Sequence, residues 1–157
     1  MMQDEKAVCF SGHRSVSMQD EKITETITNL VKAKINEGYT SFYVGGAIGF
    51  DMLCAIVVAD LKRNGEKIKL NFVLPCYNYS KNWSEFHKGM QKILLEYADS
   101  VKVISRNYSP SCMFERNRYM VDRSDCCICY MNETKGGTAY TVNYAKRKNL
   151  EIINAYE

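Results

Sequence analysis

The sequence predicts an α/β fold: an open parallel sheet, doubly wound, with helices on both faces. Three features of the chain predict it. Short apolar runs alternate with segments of helical period from end to end. Most of those runs lack a strict apolar–polar alternation, as expected of strands covered on both faces. Glycine-rich turns recur where an apolar run passes into a helical segment. A chain of 157 residues, 46% of them hydrophobic, suits one domain over residues 1–157. Such a domain buries about two thirds of its unfolded surface.

Ala7 to Phe10 reads as the first strand and runs into Ser11-Gly12-His13-Arg14. From Asp20 onward, Ile23, Ile27, Leu30, Val31 and Ile35 share one helical face, with Gly38 as the stop. Ser41 to Val44 is the second strand, ending in Gly45-Gly46. The next helix turns Leu53, Ile56, Val57 and Leu61 inward and stops at Asn64-Gly65. Ile68 to Leu74 is the third strand, with Pro75 expected to end it. Trp83, Phe86, Met90, Ile93, Leu94 and Tyr97 repeat at helical spacing, which predicts a third helix with Trp83 in the core. Val101 to Ile104 is strand four. Ser109 is the expected cap, and Pro110 the first residue, of a helix reaching Arg123. Asp125 to Tyr130 is strand five, Thr138 to Lys148 the last helix, and Glu151 to Asn154 a terminal strand.

Lys and Arg number 21 against 18 Asp and Glu, a formal net charge of +3. No basic block or stripe accompanies this imbalance, which argues against nucleic acid as a partner. Most of the seven cysteines fall in predicted strands and helices. That pattern suits buried, reduced thiols in a cytoplasmic protein better than a disulfide scaffold. With two histidines, no metal site and no cofactor is expected. The polar N-terminus, MMQDEKAVCF, reads as no secretory signal. No apolar run approaches the ~20 residues that cross a bilayer, so no membrane partner is expected. Docking through helices makes a homo-oligomer a further expectation.

Ligands of doubly wound sheets bind beyond the carboxyl ends of the strands, so the chemistry is expected in the turns there. Gly45, Gly46 and Gly49, and again Gly136, Gly137 and Thr138, stand between a strand and a helix. Such turns offer free amides at the positive end of a helix, a fit for phosphate. Neither set matches GxGxxG or the GK[ST] of a P-loop; the alternative is tight turns and close helix packing. Ser11, Gly12, His13 and Arg14 form a third strand end. Arg14 and Arg116 are the candidate guanidinium anchors, and Arg118 reads as a solvated face. Asp51, in the first turn of its helix, is a candidate for a ribose hydroxyl or for catalysis, the alternative being an effect on the helix dipole. Tyr77 or Tyr79 is a candidate to stack on a base, the alternative being packing over its loop.

Arg116-Asn117-x-x-Met120, Ser124-Asp125, an apolar strand and Gly136-Gly137-Thr138-Ala139-Tyr140-Thr141 resemble the SLOG superfamily, which includes the LONELY GUY phosphoribohydrolases and the DprA/Smf proteins. The YpsA-like branch is the closer match, through Ser11-Gly12-His13-Arg14, Gly45-Gly46-Ala47-x-Gly49-x-Asp51 and Pro75-Cys76. The resemblance implies a Rossmann-like sheet in the order 3-2-1-4-5 and a site for a nucleotide or nucleotide-derived ligand at its carboxyl edge. It also implies an arginine for N-glycosidic cleavage, at Arg116, and a partner glutamate, whose position is held by Asn143. An amide cannot take a proton as a carboxylate does, so Asp51 is the catalytic candidate beside Arg116. The functions expected, in order, are nucleotide binding, N-glycosidic hydrolysis, and protein interaction without a ligand.

Overall fold

The computed structural model describes residues 5–132 and 134–156; residues 1–4 of the polar N-terminal stretch lie outside them. Among the described residues six strands and five helices alternate: β1 (Ala7–Gly12), α1 (Glu21–Asn36), β2 (Ser41–Val44), α2 (Phe50–Arg63), β3 (Lys69–Cys76), α3 (Glu85–Glu96), β4 (Ser100–Ser105), α4 (Cys112–Asp122), β5 (Cys126–Tyr130), α5 (Gly137–Arg147) and β6 (Glu151–Asn154). All pairings are parallel. No helix among the described residues is long and apolar enough to cross a membrane.

The strand order is β4-β3-β2-β1-β5-β6, which corrects the order 3-2-1-4-5. The chain steps outward from β1 through β4, then returns past β1 to place β5 on its other side. Right-handed crossovers put helices of the outward run on one face and those of the return run on the other. Accordingly α2 packs on α1 and α3, while α4 packs on α5. The direction reverses between β1 and β5, and their carboxyl ends flank the crevice there.

Strand residues alternate between two apolar layers. Val8, Phe10, Phe42, Leu70, Phe72, Cys126 and Ile128 pack under α1, α2 and α3. Cys9, Val73, Cys127 and Cys129 pack with Met120, Val121 and Val142 on the opposite face. Phe10 and Phe42 stack at 6.3 Å between ring centroids, and burying each phenylalanine contributes about 1.5–3 kcal/mol. All seven cysteines are buried and free. Cys126 and Cys129, three apart in a strand, emerge on opposite faces, so their spacing does not pair them.

Several element ends move by one or two residues, such as β1, which runs on to Gly12, and β5, which starts at Cys126; two shifts have an evident physical cause. β3 continues through Pro75 to Cys76, because β2 stops opposite Phe72 and leaves only β4 beside the proline. α4 begins at Cys112; Pro110 and Ser111 form a turn closed by the Cys112 amide donating to the Ser109 carbonyl at 3.2 Å. Trp83 precedes α3 and is partly buried against the core. The terminal strand pairs with β5 and is anchored by Lys34, a 2% exposed side chain whose ammonium lies 2.5 Å from Glu151 and 3.1 Å from Glu37.

Candidate functional site

The helix starts divide into two kinds. Asp20 caps α1 by accepting from the Ile23 amide at 3.0 Å, and Ser84 caps α3 by accepting from the His87 amide at 3.2 Å. Among the described residues, the N-cap positions of α2, α4 and α5 (Gly49, Ser111 and Gly136) make no side-chain cap hydrogen bond, although a missing cap costs about 1 kcal/mol. These uncapped starts are the ones whose first turns reach a common cleft of about 330 Å³ at the carboxyl edge of the sheet.

Of the residues expected to act together, Ser11, Gly12, His13, Arg14, Gly45, Asp51, Arg116, Gly137 and Thr138 line this cleft. The two double-glycine corners therefore reach one rim, Gly45 from the turn before α2 and Gly137 from the start of α5. Gly46, Gly49 and Gly136 are not among the residues that line the cleft. Gly49 has φ 82°, and a Cβ there would lie 2.5 Å from the Arg14 carbonyl oxygen, so the close approach of these two turns requires glycine. The Phe50 amide donates to the His13 carbonyl at 3.1 Å, fastening α2 to the end of β1. His13 Nε2 accepts from the Asn132 amide at 3.2 Å and so joins the carboxyl ends of β1 and β5.

Arg116 is 7% exposed. It donates through Nη1 to the Gly45 carbonyl and through Nε to Asn117 Oδ1 at 2.7 Å. Its Nη2 approaches Met113 Sδ at 3.8 Å, and the residue lines the cleft; a guanidinium carries five N–H groups, more than these three contacts use. Asp51 is 5% exposed, and its Oδ2 accepts from the Ala47 amide at 2.9 Å. Burial raises the Asp51 pKa, opposed by the Arg116 charge and by the amides of Ala47, Gly45 and Gly46. Burial likewise lowers the Arg116 pKa, with Asp51 opposing. None of the ion pairs among the described residues joins the two. The carboxylate braces the turn that Arg116 holds from the other side.

Arg14 is exposed at the rim. Arg118 donates to the Tyr140 hydroxyl at 2.9 Å, which corrects its reading as a purely solvated residue. Tyr79 packs rather than stacks on a ligand: its hydroxyl donates to the Gly46 carbonyl at 2.9 Å, beside Gln91 Nε2 at 3.3 Å. Tyr77 is exposed and lies outside the cleft. Asn143 is exposed outside it too, and Thr141 donates to the Gly137 carbonyl at 3.0 Å.

Met113 and Phe114, which the sequence reading does not single out, also line the cleft, as do Asn117 and Met120, which it names only as part of the family pattern. Met113, Arg116, Asn117 and Met120 follow the spacing i, i+3, i+4, i+7, one face of α4. That signal was present in the sequence; it points at the cleft only because α4 crosses to the second face of the sheet.

Residues 8–156 match the model of the YspA SLOG family, YpsA. The chain is 29% identical over 142 residues to the uncharacterized SPbeta prophage-derived protein YoqJ of Bacillus subtilis (strain 168), covering 83% of this chain and 81% of that protein. It is 25% identical over 154 residues to the UPF0398 protein YpsA of the same organism, covering 91% and 86%. The DNA processing protein A (DprA) of Streptococcus pneumoniae superposes with a TM-score of 0.66 at 16% identity, over 94% of this chain and 49% of that one. The DprA of Helicobacter pylori, which has a single-stranded DNA binding mode, superposes at 0.64 with 18% identity, over 95% and 64%. The chain thus spans about half to two thirds of these DprA chains, and the likeness to them is one of fold. It nevertheless overturns the expectation that nucleic acid is no partner. That expectation rested on a modest net charge and on the lack of a basic block along the sequence; residues far apart in the chain can still gather charge on one surface for a strand to meet, and a nucleic-acid-binding protein shares this fold.

Proposed function

The chain belongs to the YspA SLOG family, and from that premise we propose that it binds a nucleotide or nucleotide-derived small molecule, with the phosphate held in the cleft. The observation that carries this reading is the convergence of uncapped helix starts on a cleft that also holds a buried arginine. Amides at helix N-termini carry partial positive charge and attract anions. Arg116 adds a full charge in a site shielded from water, where it acts more strongly than at the surface. Arg14, exposed on the rim, supplies a second guanidinium for bidentate contact.

Binding without turnover is favoured by the carboxylates. The position that the family resemblance assigns to a glutamate is the exposed Asn143, and Asp51 is engaged by the Gly45–Ala47 turn. N-glycosidic hydrolysis is the second reading. It draws on one observation: burial pushes Asp51 toward the protonated form that a general acid requires. Free base released from a nucleotide panel, and lost in Asp51→Asn, distinguishes it from binding alone.

The first test is thermal shift and calorimetry of the purified protein against nucleoside mono- and diphosphates, nucleotide sugars and single-stranded DNA. Binding of a phosphate-bearing small molecule, weakened about tenfold in Arg14→Ala, is the expected outcome. No stabilisation by any of them at about 1 mM, a concentration at which even weak ligands raise Tm, rejects the reading.

A further inference from the structure

The cleft lining is chemically mixed. Gly45, Arg116, Gly137 and Thr138 supply polar groups, and Met113, Phe114 and Met120 of α4 supply apolar ones. Phe114 differs from its apolar neighbours: it is 38% exposed, whereas Met120 is 2% exposed. Phe114 lines the cleft and is also exposed, so part of its ring is available to an occupant, and covering it would add hydrophobic stabilisation.

The backing of that ring is fixed. The Phe114 centroid lies 4.5 Å from that of Tyr140, with the planes inclined at 57°. Tyr140 stands in the first turns of α5 and is held in turn by the Arg118 bond to its hydroxyl. Such a tilted aromatic contact is favourable in itself. It also restricts the rotamers of Phe114, so a flat partner would meet a surface already in position. The cleft volume of about 330 Å³ exceeds what a bare phosphate fills, given ~30 Å³ for one water.

Resting on the nucleotide reading above, we propose that Phe114 is a base-stacking face of the cleft, backed by Tyr140 and Arg118, so that the occupant is an aromatic nucleoside phosphate rather than a sugar phosphate. The phosphate lies toward the buried Arg116 and the start of α5, and the base lies on the exposed ring. Asn117 sets a further constraint. Its Oδ1 accepts from Arg116 Nε, which leaves its amide nitrogen as a donor. The cleft therefore offers a π-face and donors, and a base is selected for its plane first.

The test is calorimetry with three probes: inorganic phosphate, ribose 5-phosphate and adenosine 5′-monophosphate. In the native protein the nucleotide is expected to bind about tenfold or more tighter than ribose 5-phosphate, the scale of one base–aromatic stack. Phe114→Leu keeps apolar volume without the ring; it should bring the nucleotide to the ribose 5-phosphate level and leave ribose 5-phosphate unchanged. Phe114→Trp, which restores a stacking plane, should preserve the preference. The inference is overturned if the two ligands bind equally to the native protein, if Phe114→Leu leaves their ratio intact or weakens both alike, or if Phe114→Trp abolishes the preference. Binding of phosphate and ribose 5-phosphate without that preference leaves the anion site standing and removes only the stacking face. No binding of any probe rejects both.

Discussion

The Arg116 guanidinium donates to the backbone carbonyl of Gly45, across 71 residues of chain. This bond fastens α4, on one face of the sheet, to the turn that opens α2 on the other. It also accounts for glycine at position 45, because a Cβ there would fall 2.6 Å from Arg116 Nη1 and 2.8 Å from its Cζ. The bond and the cleft depend on the same packing.

Gly45→Ala is therefore expected to displace Arg116 from the cleft wall. Overpacking of this kind costs about 1–3 kcal/mol, read as a lower midpoint in denaturant unfolding. Anion affinity should fall as well, since the guanidinium can no longer hold its position. Unchanged stability and unchanged affinity would show that Arg116 adapts, and that the contact does not shape the site.

Asp51 has a pH signature. Burial sets its folded-state pKa above the ordinary value of 3.8, so the folded protein binds this proton more tightly than the unfolded chain. Its contribution is fully present below the unfolded value and is lost as pH rises through the folded value. Asp51→Asn keeps an acceptor for the Ala47 amide and has no proton to lose. Stability of the native protein relative to this variant should decline from about pH 4 upward and then level off. Parallel pH profiles in chemical denaturation contradict this.

The thiols supply an independent check on the core. Burial pushes the Cys126 thiol up to about 12 and that of Cys129 to about 11. A hydrogen bond with Cys9 and burial raise Cys127 well above the usual range, and burial does the same for Cys54. All seven cysteines are buried and thiolate is the reactive form, so at about pH 8, close to a free thiol's pKa, a disulfide reagent should modify none of them before unfolding and all of them in denaturant. Rapid modification of Cys127 or Cys129 in the native protein would place the α4–α5 face in solvent.

Much of this arrangement was legible in the sequence. Ser41–Val44 and Glu151–Asn154 emerge as strands at the bounds read from their apolar runs, and the helical period read from Asp20 onward is α1, which Asp20 precedes. The turns at Gly45 and Gly137 could be located because an alternating strand–helix chain puts every such turn at one edge of the sheet. Composition and spacing do not encode strand order. The return of β5 past β4, β3 and β2 to the far side of β1 depends on how whole layers pack, and it decides which turns are neighbours. Direction within a turn was equally hidden: Gly45 faces Arg116, whereas Gly46 faces Leu74, Tyr79 and Gln91. Phe114 was overlooked because an exposed aromatic on a polar helix carries no periodic signal; its contact with Tyr140 is purely tertiary.

The central claim is that amides from separate turns bind one anion, and backbone NMR during a titration with adenosine 5′-monophosphate tests it most directly. The account predicts that the amide resonances of Gly45, Gly137 and Thr138 shift together along one saturation curve, with the Arg116 side-chain N–H signals moving at the same midpoint. Shifts confined to one of these turns, different midpoints for the two glycine corners, or a response located away from the cleft would contradict it.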